Sequence, residues 1–277
     1  MRIDAHHHVW DLSVREEPWT AGLDTLQRSF SLSDVSPALT ANHFDATVVV
    51  QTVTVPDETT ELLALAAAEP IVAGVVGWVD LTAEDVPTRL AALGAQPGGE
   101  SLVGIRHPAQ DEVDPRWLCR SPVRRGLSAV AEAGLAYDLL VRPPQLAGAI
   151  ETVASLPELR FVLDHAGKPD IADGALQPWA SQMADLSIEP NVVVKLSGLV
   201  TEADHDAWTV DQLRPYVDVL LEEFGPERIM FGSDWPVCLL AASYDTWVNA
   251  ATALTASVTA AEREAIFGGT AARWYRL

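Results

Sequence analysis

Cysteine and basic residues are both scarce in this sequence. Cys119 and Cys238 are the only cysteines in 277 residues, so we expect no disulfide framework and a protein of the reducing cytoplasm. The 18 Lys and Arg residues are outnumbered by 39 Asp and Glu residues, and the formal net charge is −21. A chain this acidic repels nucleic-acid phosphates and anionic lipid surfaces, so we expect neither nucleic acid nor a membrane as a partner. A local cluster of basic side chains can still bind an anionic small molecule.

Long apolar runs and several common motifs are also missing. No uncharged apolar run approaches the roughly 18 residues that a membrane helix needs, and the first residues, MRIDAHHHVW, show no signal-peptide pattern. The sequence has no GxGxxG motif after a strand, no GxxxxGK(S/T) and no GxSxG. Their absence argues against a dinucleotide-binding fold, a P-loop NTPase and an α/β-hydrolase.

Eight short β-branched segments recur along the chain and are predicted to be strands. Several are almost continuously apolar, as expected for parallel strands buried on both faces. Segments with helical periodicity separate them, and the strand starts are about 32 residues apart, the length of one βα unit. We therefore predict a single (β/α)8 TIM barrel of the α/β class over residues 1–277, with a loop at 11–30 over its mouth. The predicted strands cover residues 2–10, 46–53, 71–79, 102–107, 135–141, 160–167, 191–198 and 228–234.

The first predicted strand carries three histidines. Active sites of such barrels lie at the carboxyl ends of the strands. Alternate side chains share a face of a strand, so Asp4, His6, His8 and Trp10 are expected to project together, with His7 on the other face. Two histidines spaced in this way form a natural pair of nitrogen ligands for a metal ion. The alternative is a pair of hydrogen-bonded structural histidines.

Four further strands place ionisable residues at the same end. They are Arg106 and His107 on strand 4, Asp164 and His165 on strand 6, Lys195 on strand 7 and Asp234 on strand 8. Burying so many ionisable groups together is costly without partners, which favours a functional site. For His107 a packing role remains open, and Lys195 fits a salt-bridged barrel lysine equally well.

Seven motifs that include these residues occur in family order along nearly the whole chain. The sequence resembles the amidohydrolase superfamily, and within it the lactonase branch. It is more similar to sugar lactonases of the L-fucono- and L-rhamnono-lactone kind than to 2-pyrone-4,6-dicarboxylate lactonase. The motifs are DAHHHVW (4–10), GWVDL (77–81), GIRH (104–107), YDLL (137–140), LDHAGKP (163–169), KLSGL (195–199) and FGSDWPV (231–237).

The resemblance implies a metal-dependent-hydrolase type of barrel and a cytoplasmic enzyme of carbohydrate catabolism. Its predicted activity is opening the ester of a small aldonolactone. The implied metal ligands are His6, His8, His165 and Asp234, a set that fits one zinc ion by ligand type. Strand 4 ends in Arg106 and His107 and offers no lysine at its tip, which argues against a two-metal centre. Catalysis without a metal remains an alternative.

In the predicted mechanism, Asp234 is the general base that activates water. The residues that polarise the carbonyl or hold substrate hydroxyls are Arg106, His107 and Lys195. Asp164 is expected to orient a neighbouring group.

Three tryptophans and a glutamine complete the predicted site. Trp10, Trp78 and Trp235 are expected to stack on a sugar ring, and Gln51 to bind a hydroxyl, although a tryptophan at such a position is more often part of the core. Two other functions compete with lactone hydrolysis: a metal-dependent decarboxylase of aromatic acids on the same barrel, and a sugar-acid binding barrel without turnover. The GIRH and SDWPV motifs weigh against the first, and Asp234 weighs against the second. The pattern of surface residues indicates no oligomeric state.

Overall fold

Eight parallel strands form one sheet in the order in which they occur in the chain. The computed structural model describes residues 1–277. Each strand lies inside its predicted segment, so the predicted (β/α)8 barrel is confirmed. The strands are β1 Ile3–His7, β2 Ala46–Val50, β3 Val72–Gly77, β4 Leu102–His107, β5 Ala136–Leu139, β6 Arg160–Leu163, β7 Val192–Leu196 and β8 Ile229–Phe231.

Helices alternate with the strands and cover the outside of the barrel. The segment after β1 is the longest connection, and its short 3₁₀ turns at Pro18–Thr20 and Asp24–Leu26 precede the first helix. None of the helices has the length and hydropathy needed to span a bilayer. The helices are α1 Leu32–Ala41, α2 Pro56–Ala68, α3 Val86–Gly94, α4 Ser121–Glu132, α5 Pro143–Ser155, α6 Trp179–Ser187, α7 Val210–Glu223, α8 Tyr244–Leu254, α9 Ala260–Glu264 and α10 Thr270–Tyr275.

A seam between β1 and the residues after β8 closes the barrel. The His8 amide donates to the carbonyl of Trp235 at 2.7 Å, and the Asp234 amide donates to the carbonyl of His6 at 2.8 Å. Asp4 joins the same seam, because its carboxylate accepts hydrogen bonds from the Ser233 amide at 2.8 Å and the Tyr244 hydroxyl at 3.0 Å. His6 and His8, near the start of the chain, therefore lie beside Asp234, near its end.

The position of Asp4 corrects the predicted face of strand 1. Its carboxylate contacts Tyr244 of α8 in the helix layer, whereas His6 and His8 converge on Asp234. The register between β1 and β2 shifts between Asp4 and His7. Such a bulge inserts one residue and reverses the alternation of side chains beyond it, so Asp4 and the two histidines do not share a face.

The hydrophobic core has two layers. The larger layer lies between strands and helices, and a smaller one lies inside the barrel. The inner layer is closed toward the amino-terminal ends of the strands by Ala271 and Tyr275 of α10, which pack against Ile3, Ala46 and Val193. Polar side chains replace this apolar packing farther along the strands. The barrel interior thus changes from apolar to charged toward the ends where the candidate site lies.

Candidate active site

Four side chains from three parts of the barrel converge at the carboxyl ends of the strands. His6 and His8 lie on or directly after β1, His165 follows β6, and Asp234 follows β8. The Nε2 atoms of His6 and His8 are 3.1 Å apart. Asp234 Oδ1 lies 3.7 Å from His6 Nε2, 3.5 Å from His8 Nε2 and 3.8 Å from His165 Nε2. All four side chains are buried. His6, His8 and Asp234 form one group of ligand atoms within 4.8 Å of one another, and His165 adjoins that group through Asp234.

This donor set fits one divalent ion. Two ligand atoms that each lie about 2.0–2.1 Å from a tetrahedral zinc ion are roughly 3.3 Å apart, close to the separations in this cluster. Three imidazole nitrogens and a carboxylate oxygen are also ligands that zinc prefers. The fold thus brings together the four residues predicted to hold a metal, with His6, His8 and Asp234 as the tighter group.

The second nitrogens of His8 and His165 have partners of their own. His8 Nδ1 lies 2.7 Å from the carbonyl of Val50, and His165 Nδ1 lies 2.8 Å from the Ser197 hydroxyl. The carbonyl can only accept, so His8 carries its proton on Nδ1 and leaves Nε2 free as a ligand. Partners of this kind fix the tautomer and orientation of metal-binding histidines.

Burial also keeps His6 and His165 neutral. It lowers the pKa of His6 well below the usual value, and it lowers the pKa of His165 to about 4. Burial alone would raise the pKa of Asp234, but His165 and His8 beside it more than offset this, and the pKa lies below its usual value. Neutral imidazoles and an ionised carboxylate are the protonation states that metal binding and base catalysis both require.

A buried network of charges lies behind His6. Lys195 Nζ is 2.6 Å from Asp138 Oδ2 and 2.9 Å from Asp164 Oδ1. Asp164 Oδ1 in turn lies 3.4 Å from His6 Nδ1. The Tyr275 hydroxyl donates to Asp138 Oδ2 at 2.7 Å. This network therefore connects α10 at one end of the barrel to a candidate ligand at the other.

Left-handed backbone is concentrated at the site. His165, Ala166 and Lys168 have φ of 52° and Asp234 has φ of 57°, and all of them carry side chains. A non-glycine residue in this region is uncommon and costs on the order of 1–3 kcal/mol. The turn 165–168 after β6 is therefore strained at three of its four residues, and it carries a candidate ligand.

Gly198 supports His165 and provides a first prediction. It has φ of +66°, and an added Cβ would lie 2.7 Å from His165 Cγ and Nδ1. We expect Gly198→Ala to displace the His165 ring and to lower zinc affinity by about 10- to 100-fold, the usual effect of disturbing a ligand's support. Competition with a chromogenic chelator measures that affinity.

Gly174→Ala is the matched control, because Gly174 has φ of +67° and nothing within 4 Å of the added Cβ. In both variants an alanine must adopt left-handed backbone, which destabilises the protein by about 1–2 kcal/mol. Only Gly198→Ala should also lose zinc. Equal affinities in the two variants would contradict the supporting role.

The cluster opens into a cleft of about 710 Å³. His8, Arg106, His165 and Asp234 form part of its wall. The loop after β1 covers it from above, as predicted, and places Trp19 in the lining. Other strand-end loops contribute the charged residues Arg142, Lys168 and Glu202. The cleft is large enough for a sugar-sized ligand.

The three predicted catalytic helpers occupy different places. Arg106 lines the cleft and donates to Asp164 Oδ2 at 3.1 Å and to the carbonyl of Gln51. Lys195 is fully buried behind His6 and does not line the cleft. His107 also lies outside the lining, because its ring stacks on Trp117 and its Nε2 lies 2.9 Å from Glu112 Oε1. The geometry thus gives Lys195 a supporting position and His107 a packing position.

The four predicted substrate-binding residues do not line the cleft. Trp10 donates to the carbonyl of Arg28 and packs against Phe30, and Trp78 donates to His107 Nδ1. Trp235 also packs edge-on against Phe30, and Gln51 donates to the carbonyl of Arg106 at 3.1 Å. Trp19 is the one tryptophan in the lining, with 39% of its surface exposed.

The residue predictions missed several functional positions. Asp138 and Tyr275 complete the buried network, and Lys168 and Glu202 line the cleft. One signal was present in the sequence: Lys168 and Lys195 are its only lysines, and the other basic residues are all arginine. A lysine offers a compact ammonium with three donors, which the planar guanidinium of arginine does not.

Comparison with known proteins identifies the relatives of this chain. The L-fucono-1,5-lactonase of Burkholderia multivorans is 41% identical, and the match covers 100% of this chain and 96% of that protein. The L-fucono-1,5-lactonase of Burkholderia ambifaria is 38% identical with the same coverage. A crystal structure of an amidohydrolase from Burkholderia multivorans with bound zinc is 40% identical, with a TM-score of 0.95 over 100% of this chain and 99% of that one.

The sequence profile of the amidohydrolase family matches residues 3–277. The profile match, the full-length relatives and the barrel agree with one another. The chain belongs to the amidohydrolase family.

Proposed function

We propose that this chain is a lactonase that hydrolyses the ester of a sugar-acid lactone, with L-fucono-1,5-lactone as the leading substrate. The observation that carries the proposal is the carboxylate of Asp234, held within 3.8 Å of three imidazole nitrogens at the wall of a sugar-sized cleft. The full-length relatives named L-fucono-1,5-lactonase support the choice of substrate.

Asp234 supplies the proton transfers of this reaction. It removes a proton from the attacking water, whose oxygen forms a bond to the lactone carbonyl carbon. The bond from that carbon to the ring oxygen then breaks, and Asp234 returns the proton to the departing oxygen. Arg106 lines the cleft beside His6 and supplies the charged donor that stabilises negative charge on the carbonyl oxygen. The product is an open-chain hydroxy acid.

The ion that fits this site would be held by His6, His8, His165 and Asp234. When bound, zinc acts as a Lewis acid toward the carbonyl and lowers the pKa of water. The zinc in the Burkholderia multivorans structure supports this assignment.

The two competing functions are less well supported. The two full-length relatives that are 41% and 38% identical carry the names of lactonases, which does not favour an aromatic-acid decarboxylase. A pure binding protein has no need of a buried carboxylate beside three imidazoles. Both cysteines are free thiols, which fits the reducing cytoplasm that we propose as the location of the enzyme.

A hydrolysis assay on a panel of lactones tests the proposal. We expect proton release, followed with a pH indicator, from L-fucono-1,5-lactone and weaker release from other aldonolactones. A chelator should abolish turnover, and added zinc should restore it. Folded, zinc-loaded protein that opens no lactone but releases carbon dioxide from a dihydroxybenzoate would overturn the proposal in favour of the decarboxylase.

A further inference from the structure

Two charged side chains in the cleft wall make no hydrogen bond of their own. Lys168 Nζ lies 3.7 Å from Glu202 Oε1, beyond hydrogen-bonding distance. Glu202 Oε2 lies 3.6 Å from Arg142 Nη1, also beyond it. The side chains of Lys168 and Glu202 are only 16% and 15% exposed, and both line the cleft. Their donors and acceptors face the cleft and are not engaged by other side chains, so they are available to a polar ligand.

The backbone holds Lys168 at some cost. Its φ is 52°, although a glycine at this position would avoid the strain. The Lys168 amide donates to the carbonyl of His165 at 2.8 Å, so the same short turn sets the positions of a candidate metal ligand and of the ammonium. Lys168 is also one of the only two lysines in the chain. Strained backbone kept beside a candidate metal ligand points to a function for this side chain.

We propose that Lys168 and Glu202 form a subsite that recognises adjacent hydroxyls on the lactone ring. This inference rests on the proposed lactonase function and identifies the part of the cleft that selects the substrate. A hydroxyl both donates and accepts, so two neighbouring hydroxyls can accept from an ammonium and donate to a carboxylate. The pair thus complements a vicinal diol.

The charges of this subsite distinguish lactones that carry hydroxyls from lactones that carry a second carboxylate. Lys168 and Arg142 alone would form a clamp for a second carboxylate on the substrate. Glu202 lies within 3.7 Å of both and adds a negative charge between them. A ring carboxylate would be repelled by Glu202, whereas a hydroxyl would be bound by it. The subsite therefore favours a neutral polyhydroxylated lactone.

The kinetic test compares two substrates in each variant. We expect Glu202→Gln and Lys168→Met to lower kcat/KM for L-fucono-1,5-lactone by about 10- to 100-fold, the value of hydrogen bonds to charged groups. For δ-valerolactone, which has no hydroxyls, kcat/KM should change by less than about threefold. Equal losses on both lactones would overturn the proposal and indicate a catalytic or structural role instead.

Glu151→Gln provides a matched control. Glu151 also lies between two cations, Arg116 and Arg124, but on the outer surface of the protein. The variant Glu151→Gln should leave kcat/KM for both lactones unchanged. Zinc affinity is measured in every variant, because a loss of zinc in Lys168→Met would show a collapsed turn. In that case Glu202→Gln, which leaves the turn intact, decides the outcome.

The NMR signals of the two lysine side chains report ligand binding without any need for turnover. Protein labelled with ¹³C-lysine should show two side-chain εCH₂ signals, and Lys168→Arg identifies one of them. We expect L-fuconate to shift the Lys168 signal and 5-hydroxypentanoate to leave it in place. A shift in protein that opens no lactone would support the subsite while the proposed function fails. Equal shifts with both acids, or no shift with either, would overturn the subsite.

Discussion

Asp234→Asn will lower kcat for lactone hydrolysis by about 10²- to 10⁴-fold, the usual contribution of a general base. The amide has the size of the carboxylate but cannot take a proton from water. The fold should remain intact, because Asp234 has φ of 57° and asparagine tolerates this left-handed conformation well. Steady-state kinetics and the thermal unfolding midpoint together measure the two effects.

Asp234 is also a candidate zinc ligand, so the experiment must separate binding from catalysis. We expect zinc affinity to fall in Asp234→Asn, and kcat at saturating zinc to stay low. Recovery of the full rate with excess zinc would show that Asp234 holds the ion and is not the base. Asp173→Asn, at an exposed position, is the control and should behave as the wild type.

Lys195→Met will have the largest effect on stability. The ammonium is fully buried and forms ion pairs with Asp138 and Asp164, which lie 2.6 Å and 2.9 Å from it. Removing one partner of a buried ion pair typically costs about 3–5 kcal/mol, because the other charge is left uncompensated. We expect the free energy of unfolding to fall by that amount, and Tm to fall by roughly 10 °C. Activity should fall too, because Asp164 supports His6.

Two comparisons show whether this cost arises from the buried charges. Lys195→Met combined with Asp138→Asn removes both charges of one pair and should be more stable than Lys195→Met alone. Arg89→Met breaks an exposed ion pair with Asp85 and should cost at most about 1 kcal/mol. If Lys195→Met unfolds at the same temperature as Arg89→Met, the network does not stabilise the barrel.

The fold and the central cluster could be predicted from local patterns in the sequence. A parallel strand buried on both faces requires a run of apolar residues, and a change to polar residues marks its carboxyl end. His165 and Asp234 follow such runs directly. Since all eight strands end on the same side of a barrel, residues distant in the chain were expected to meet there.

The orientation of Asp4 could not be predicted in this way. Alternation along β1 assumes a regular strand, and the bulge between Asp4 and His7 depends on pairing with β2. The roles of the tryptophans have a similar cause. A large ring after a strand packs against whichever loop covers it, and here the loop after β1 covers Trp10 and Trp235 with Phe30.

The remaining site residues depend on long-range packing. Asp138 stands in an apolar strand, and only the barrel brings it to Lys195 on β7 and to Tyr275 on α10. Lys168 reaches the cleft because four successive residues adopt left-handed backbone, and only Gly167 among them is glycine. A sequence pattern for such a turn would be expected to contain more glycine.

The seam between β1 and β8 has a consequence for how the protein folds. His6 and Asp234 are separated by almost the whole chain, so their contact closes one of the longest loops in the molecule. The entropy lost on closing such a loop makes contacts of this kind late events in folding. The donor set therefore does not exist in partly folded forms whose barrel is still open. An ion that binds only the closed barrel shifts the folding equilibrium toward it by mass action, by about 2.7 kcal/mol at a free concentration 100 times its Kd.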